Sequence, residues 1–178
     1  AVDMLSGLTP GDAATWSRPS QELLRSPEEI SGVDPPRAHV FATREQYVLL
    51  LRRMLKIKMI ALRTQRPLVV NGLFGVAKPD GTIRLIVDAR ACNVLFRDPW
   101  DPALPSPADV AALSADVAAQ LVVAKSDVAA CFHSIRVPDW LTTYFGLPAV
   151  RAGDIGMDGV DPDIWVYPVC LTLIMGFS

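Results

Sequence analysis

The feature that most constrains the fold is a turn between two apolar runs. Residues 68–77 and 82–87 are mostly apolar, and the tetrapeptide 78–81, Lys-Pro-Asp-Gly, separates them. Proline fixes φ near the value that a turn requires, and glycine adopts positive φ without steric cost. A Pro-Asp-Gly turn flanked in this way predicts a β-hairpin.

The other segments predict helices and short strands in alternation. Thr43 is placed to cap a helix that runs to about residue 59 or 60, and its apolar residues recur at helical spacing. Ser106 and Pro107 mark the start of a second helix, which continues through residues 108–120. The remaining predictions are a helical turn over 129–135 and strands over 121–127, 143–147 and 164–174. This order indicates an α+β protein rather than a parallel doubly wound sheet.

The chain of 178 residues is long enough for one domain with a substantial core. Residues 1–36, rich in proline, serine and acidic residues, are predicted to form an extended arm or linker before a domain over 37–178. The chain begins with Ala1, which predicts either a piece of a longer polypeptide or a processed chain. Because the three cysteines are widely spaced, we expect reduced core thiols in an intracellular protein. No apolar run approaches the roughly 20 residues that span a bilayer, so no membrane partner is expected.

The charges are distributed unevenly along the chain. Residues 37–90 carry 11 basic and 3 acidic side chains, a net charge of +8, whereas residues 1–36 sum to −4 and residues 91–178 to −6. A basic block beside an acidic block suits a protein that binds phosphates on one side and a metal cation on the other. A solvated basic helix face would explain the same charges.

A few residues carry candidate chemistry. Asp127 follows an apolar run, where a carboxylate and nearby carbonyl oxygens could bind a hard cation such as Mg²⁺, or where Asp127 could only cap the next turn. Lys78 and Arg84 flank the predicted hairpin turn and suit a triphosphate, although both could be exposed side chains without a ligand. The glycines of this region do not form a nucleotide-binding loop of the Gly-Lys-Ser/Thr kind.

Taken in order, these segments resemble the reverse transcriptases of retroviruses and retrotransposons over residues 43–178. AKPDGTIRLIVDARACN is similar to the finger hairpin of that family, and LPSPADVAAL to the helix before its first catalytic motif. KSDVAACFHSIRV looks like that motif, with an aspartate followed by an aromatic residue at the fifth position. VYPVCLTLIMGFS looks like a later motif in which a strand closes on a glycine.

The resemblance implies a partial right-hand polymerase fold, with a finger hairpin, helices and an incomplete antiparallel palm sheet. Asp127 and the carbonyl of Val128 would bind two catalytic Mg²⁺ ions, and Phe132 would select deoxynucleotides by excluding a 2′-hydroxyl. Further nucleotide contacts would come from Lys78, Arg84, Met175 and Gly176, and template contacts from Asp88 and Arg90.

The resemblance also implies a function and its partners. The chain would be the N-terminal part of an RNA-directed DNA polymerase acting on an RNA or DNA template with primer and dNTP, completed by the remainder of a polyprotein. The family's second acidic motif, an aromatic-x-Asp-Asp, does not occur in these 178 residues, so we expect no polymerisation by this chain alone.

Two sequence features depart from the family's pattern. Met175 stands where many retroviral members have glutamine, and Ala130 where an acidic residue sometimes appears.

Two other functions are open. One alternative to the polymerase is a non-catalytic nucleic-acid-binding module or a degenerate copy of a retroelement. The other is an unrelated α+β phosphotransfer enzyme that uses Asp127.

Overall fold

The computed structural model of the chain describes residues 1–98, 106–112 and 124–177. The chain divides into two compact units, one formed by Ala1–Arg97 together with Ala130–Ser178, and the other by Asp98–Ala129. The fold is mixed α+β with several small sheets, as the order of the predicted elements indicates.

The described residues contain seven strands and six α-helices, with additional 3₁₀ turns at Leu5–Gly7 and Phe132–Ser134. The strands are β1 (Val2–Asp3), β2 (Ile60–Arg63), β3 (Gly72–Ala77), β4 (Ile83–Asp88), β5 (Ile135–Arg136), β6 (Val150–Arg151) and β7 (Trp165–Cys170). The helices are α1 (Pro10–Trp16), α2 (Arg44–Lys56), α3 (Arg90–Asn93), α4 (Pro107–Ala111), α5 (Asp139–Thr142) and α6 (Ala152–Ile155).

The predicted hairpin is confirmed. Strands β3 and β4 pair antiparallel from Gly72 opposite Asp88 to Ala77 opposite Ile83. Gly81 takes a φ of +78° in the turn, where glycine has no Cβ to clash with the backbone. One face of the hairpin meets the core through Leu73 and Val87, so the other face is directed away from that core.

The predicted helix after Thr43 is also confirmed. Thr43 and Gln46 form a reciprocal capping box, which satisfies two backbone N–H groups at the start of α2. The helix buries Tyr47, Leu51 and Met54 in the core and packs against β2 and α6. Strand β2 belongs to an antiparallel sheet with the order β2–β7–β6. Strand β7 occupies residues 165–170 of the predicted strand over 164–174.

The predicted strand over 143–147 is wrong. Residues 143–145 form the turn that follows helix α5, and the strand of this region is the shorter β6. Residues 145–147 do approach β7, because the Leu147 N–H donates to the Pro168 carbonyl at 2.8 Å and the Cys170 N–H donates to the Phe145 carbonyl at 3.0 Å. Pro168 has no N–H to return the bond, which interrupts a regular ladder at this point.

The predicted strand over 121–127 is wrong in its described part. Residues 124–128 are irregular and exposed, and residues 121–123 lie outside the described residues. No backbone N–H of 124–128 donates to another described residue. A strand requires a neighbour for its N–H and C=O groups, and the structure describes none here. The predicted helical turn that follows is confirmed as the 3₁₀ turn Phe132–Ser134.

Residues 1–36, predicted as an extended arm or linker, belong to the larger unit. Strand β1 pairs in parallel with β5. The rings of Trp16 and Trp140 stack at 6.4 Å, and the Trp140 indole N–H donates to the Trp16 carbonyl at 2.9 Å. Leu24 forms a bridge to Phe96. The segment therefore contributes both apolar and backbone contacts to this unit.

The smaller unit contains the start of the second predicted helix. The Asp109 N–H donates to the Ser106 hydroxyl at 3.2 Å, and the Ser106 N–H donates to the Asp109 carboxylate at 2.7 Å. This reciprocal cap confirms the predicted start of α4. The predicted continuation from 113 to 120 lies outside the described residues.

The prediction of three core thiols holds for two of the cysteines. Cys92 and Cys170 are buried, and burial raises the pKa of each thiol to about 12. Cys131 is exposed, because it lies in the turn that precedes the 3₁₀ segment rather than on an element that faces the core. All three are free.

Candidate functional site

The structure places the two predicted triphosphate-binding cations on one face of the hairpin. Arg84 is directly opposite Val76, and the ladder continues to Lys78, whose N–H donates to the Thr82 carbonyl at 2.8 Å. Cross-strand partners share a face, and residues two apart share it as well. Lys78 and Arg84 are both exposed, so this face presents a point charge and a planar guanidinium to solvent.

The turn that carries Lys78 is held by side-chain hydrogen bonds. The Asp80 carboxylate accepts from the Thr82 N–H at 2.9 Å and from the Thr82 hydroxyl at 2.5 Å. These bonds lower the pKa of Asp80, and the charge of Lys78 lowers it further. The tip of the hairpin is therefore an ordered turn rather than an unconstrained loop.

At the other end of the hairpin, Arg90 and Asp88 form a two-point ion pair. The Arg90 Nε and Nη2 atoms donate to the two Asp88 oxygens at 2.7 and 2.6 Å. The hydrogen bond from Arg90 lowers the pKa of Asp88. Arg90 remains largely exposed, and a guanidinium has five N–H donors, so it retains donors for a phosphate after binding Asp88.

Gly176, a predicted nucleotide contact, lies against the end of the same hairpin. The Asn93 side-chain amide donates to the Gly176 carbonyl at 2.9 Å, across 83 positions of sequence. Gly176 has a φ of +116°, and a Cβ at this position would lie 2.6 Å from the Val87 carbonyl oxygen. The close approach to Val87 explains a glycine here, while its contact with a nucleotide stays a prediction.

Phe177, the residue after Gly176, anchors the loop 175–177 in an aromatic cluster that the sequence analysis did not identify. The Phe177 ring meets Phe96 edge to face at 4.9 Å and Phe145 at 5.1 Å. Met175, on the other side of Gly176, is half-buried. The aromatic contacts fix the position of the loop, and aromatic pairs of this geometry add to the stabilisation from burial alone.

The predicted deoxynucleotide selector, Phe132, opens the 3₁₀ turn and is half-buried. Its neighbour His133 has a buried Nδ1 atom with no hydrogen-bond partner among the described residues. Burial lowers the pKa of His133, because it penalises the charged imidazolium. Ala130, just before this turn, has a φ of +51°, which is uncommon for a residue other than glycine.

The predicted metal ligands Asp127 and Val128 belong to the smaller unit. Both are exposed, and Val128 retains 66% of its accessible surface. The described residues contain no group of three or more His, Cys, Asp or Glu side chains placed to bind one metal ion.

Sequence analysis missed an aromatic pair at the surface beside the hairpin. Phe41 is 72% exposed, yet its ring meets His39 at 4.3 Å and the half-buried Phe74 at 6.3 Å, edge to face in both cases. The Phe41 N–H also donates to the Leu73 carbonyl at 3.1 Å. Phe74 shares the hairpin face of Arg84 by strand alternation. Phe41 precedes a helix cap and belongs to no periodic pattern, so no signal in the sequence indicates this pair.

Comparisons with known proteins do not assign this chain to a family. A scan of the sequence against protein-family models gives no match, and a search of curated proteins gives none either. Among the described residues, no helix has both the length and the apolar content needed to cross a membrane.

Proposed function

We propose that this chain is the N-terminal part of an RNA-directed DNA polymerase of a retrovirus-like or retrotransposon element. The complete enzyme would transfer a nucleotide from dNTP to a primer 3′-hydroxyl on an RNA or DNA template. In this proposal the chain supplies the fingers and the first part of the palm of a right-hand polymerase fold, and the remainder of the polyprotein supplies the rest.

The observation that best supports the proposal is the meeting of two distant motifs. Asp88, Arg90 and Asn93 belong to the finger-like motif, and Gly176 belongs to the motif with a terminal glycine. The Asn93–Gly176 hydrogen bond joins the two motifs, and Gly176 lies directly against the hairpin backbone. The residues that the resemblance predicts to contact the nucleotide and those that it predicts to contact the template therefore lie at the same hairpin.

In the proposed complex, the chain's own residues bind and orient the substrates. Lys78 and Arg84 hold the triphosphate from one face of the hairpin. Arg90, oriented by Asp88, contacts a template phosphate through its free donors. Met175 and Gly176 lie beside the nucleotide, and Phe132 excludes a 2′-hydroxyl.

The surface aromatic pair fits the same proposal. The Phe41 ring meets Phe74, which shares a hairpin face with Arg84, and nucleic-acid-binding proteins combine basic grooves with rings on which bases stack. Stacking on an exposed ring contributes about 1–3 kcal/mol per base. Contacts with His39 and Phe74 hold the Phe41 ring in place before any base arrives.

The proposal assigns Mg²⁺ to the complete enzyme. From this chain, Asp127 and the Val128 carbonyl would contribute ligands, since hard cations prefer carboxylate and carbonyl oxygens. Two metal ions need further carboxylates, and the described residues do not provide them around Asp127. No catalytic step is therefore assigned to this chain by itself.

The triphosphate site can be tested by titrating the chain with a fluorescent dATP analogue labelled on the 3′-oxygen. We expect Lys78→Gln/Arg84→Gln to weaken binding at least about tenfold, because hydrogen bonds between charged groups contribute roughly 1.5–3 kcal/mol each. Arg18→Gln/Arg37→Gln removes the same charge from exposed positions outside the hairpin and is expected to change the affinity less than about twofold. Equal weakening by both variants, or no binding by the wild-type chain, would contradict this part of the proposal.

A non-catalytic nucleic-acid-binding module is the second candidate. The rings of Phe41 and Phe74 near Arg84 favour it, because stacking surfaces and cations are sufficient to bind a strand without any catalytic group. It predicts that the chain binds a template–primer duplex while Lys78→Gln/Arg84→Gln leaves binding of the dATP analogue unchanged.

A further inference from the structure

A long stretch of the chain is basic and contains no acidic residue. No Asp or Glu occurs between Glu45 and Asp80. The stretch covers most of α2, strands β2 and β3, and the start of the hairpin turn. Seven basic residues lie within it: Arg52, Arg53, Lys56, Lys58, Arg63, Arg66 and Lys78.

Two of the cations of α2 lie on its outer face. The helix buries Tyr47, Leu51 and Met54, so the opposite side faces solvent. Arg53 and Lys56 are exposed there, and their spacing of three residues places them side by side on the helix surface.

Lys58 extends this surface beyond the last turn of α2. The Lys58 N–H donates to the Leu55 carbonyl at 3.0 Å, and the Met59 N–H donates to the Met54 carbonyl at 2.9 Å. These two bonds form a Schellman motif, in which the residue at the Lys58 position is usually glycine. Lys58 has a φ of +57°, so the chain keeps a lysine where a glycine would be less strained.

Arg53, Lys56 and Lys58 have no anionic partner among the described residues. Their basic neighbours differ in this respect. The Arg52 side chain donates to the Asp154 carbonyl at 2.7 Å, and Arg63 pairs with Asp139 at 2.6 Å. We define the outer-face cations as Arg53, Lys56 and Lys58.

The surroundings of the outer-face cations indicate which anion they fit. All three cations are exposed at the surface of α2 and of the turn that follows it. Leu49 and Ile57 are exposed near these cations, but a helix that lies in a lipid surface needs a continuous apolar face, and the apolar side of α2 is buried in the core. A nucleic-acid strand needs neither a groove nor an apolar face, because its phosphates are external and regularly spaced.

We propose that the outer-face cations bind the phosphodiester backbone of a nucleic-acid strand, at a site separate from the hairpin cations. The interaction is independent of base sequence, since it uses charge alone. It extends the proposed function to a second nucleic-acid contact, but it does not require that the chain bind a nucleotide or belong to a polymerase.

The test is the salt dependence of binding to a fluorescein-labelled single-stranded oligouridine, measured by anisotropy on the whole chain. The variant Arg53→Gln/Lys56→Gln/Lys58→Gln should reduce the slope of log K against log salt by about 2, at roughly 0.7 for each phosphate that is no longer neutralised. It should weaken binding at least about tenfold at low salt. The charge-retaining variant Arg53→Lys/Lys56→Arg/Lys58→Arg should keep the wild-type slope.

A matched control removes three exposed cations elsewhere, with Arg18→Gln/Arg37→Gln/Arg66→Gln. An equal loss of slope in this control would overturn the proposal, because net charge alone would then account for binding. Unchanged oligouridine binding by the outer-face variant would also overturn it, and loss of binding only to phosphatidylserine vesicles would assign the surface to lipid instead. Binding of the dATP analogue reports on the hairpin cations, so failure of either site is distinguishable from failure of the other.

Discussion

The hairpin end and residues 124–128 were both predicted to carry functional residues, but the protein holds them very differently. At the hairpin end, Asp88 is paired with Arg90, and the Gly176 carbonyl accepts a hydrogen bond from Asn93. Residues 124–128, which include Asp127, are irregular and exposed, without a backbone N–H donated to another described residue.

The difference follows from where each segment finds its hydrogen-bond partners. A hairpin brings its own neighbour strand through a short turn, so its ladder forms locally. A single strand that ends on Asp127 needs a neighbour from elsewhere in the chain. We infer that the residues around the hairpin can bind a ligand in their present arrangement, whereas Asp127 needs additional structure to become a metal ligand.

The largest expected effect is that of Gly176→Ala on stability. Its Cβ would meet the Val87 carbonyl oxygen at 2.6 Å, and its φ of +116° is strained for alanine. We expect a loss of about 3 kcal/mol in the free energy of unfolding, measured by urea denaturation. Gly159→Ala is the control, because Gly159 has a φ of +74° with nothing within 4 Å, and it should cost only about 1 kcal/mol. Equal losses of unfolding free energy in the two variants would show that the contact with the Val87 carbonyl does not constrain the residue at position 176.

Asn93→Ala should have a smaller effect at the same place. The substitution removes the hydrogen bond to the Gly176 carbonyl, and a typical hydrogen bond contributes about 1 kcal/mol. Hydrogen exchange at the Phe177 amide should become faster, because the loop 175–177 loses one of its anchors. If neither the stability nor the exchange rate changes, the two motifs are not coupled through this bond.

Asp88→Asn tests the ion pair through the pH dependence of stability. The pKa of Asp88 is lowered in the folded state by the hydrogen bond from Arg90, so the ion pair stabilises the protein above the unfolded pKa of about 4. This contribution is lost as the pH falls through the lowered folded pKa. Asp88→Asn should therefore flatten the acid side of a plot of melting temperature against pH, and an unchanged curve would rule out the pair as a contributor.

The smallest expected effect is that of Asp127→Asn on stability. Asp127 is exposed in an irregular segment, and surface substitutions of this kind usually change stability by less than about 0.5 kcal/mol. Thermal unfolding of the wild-type chain and of the Asp127→Asn variant under the same conditions measures this difference. A loss of more than about 1 kcal/mol would mean that Asp127 already has a structural partner, which would remove the contrast with the hairpin end.

The sequence predicted those elements whose signals are local. The Pro-Asp-Gly turn predicted the hairpin, and Thr43 and Ser106 predicted two helix starts that the structure bears out. The strand over 143–147 was predicted wrongly because residues 143–145 close the turn after α5, and because Leu147 faces Pro168, a residue on a different strand. Local periodicity contains no information about such a partner.

The same limit applies to the candidate site. The sequence identified Lys78 and Arg84 by their positions around the turn, whereas only the resemblance singled out Asp88 and Arg90. It could not identify the pairing of Phe41 with Phe74 or the anchoring of Phe177, because these contacts join residues that are far apart in the chain. The Asn93–Gly176 bond was missed for the same reason, although both residues belong to motifs that the resemblance had singled out.

The central claim, that this chain is part of a template-directed DNA polymerase, is tested most directly by primer extension with the protein encoded by the whole reading frame. With an RNA template, a DNA primer, Mg²⁺ and dNTPs, we predict extension by the wild type and a loss of at least about a hundredfold with Asp127→Asn. Asp158→Asn, which alters a carboxylate outside the proposed site, should retain full activity, and template–primer binding should survive in both variants. Extension that is unaffected by Asp127→Asn, or no extension by the wild-type protein, would contradict the account.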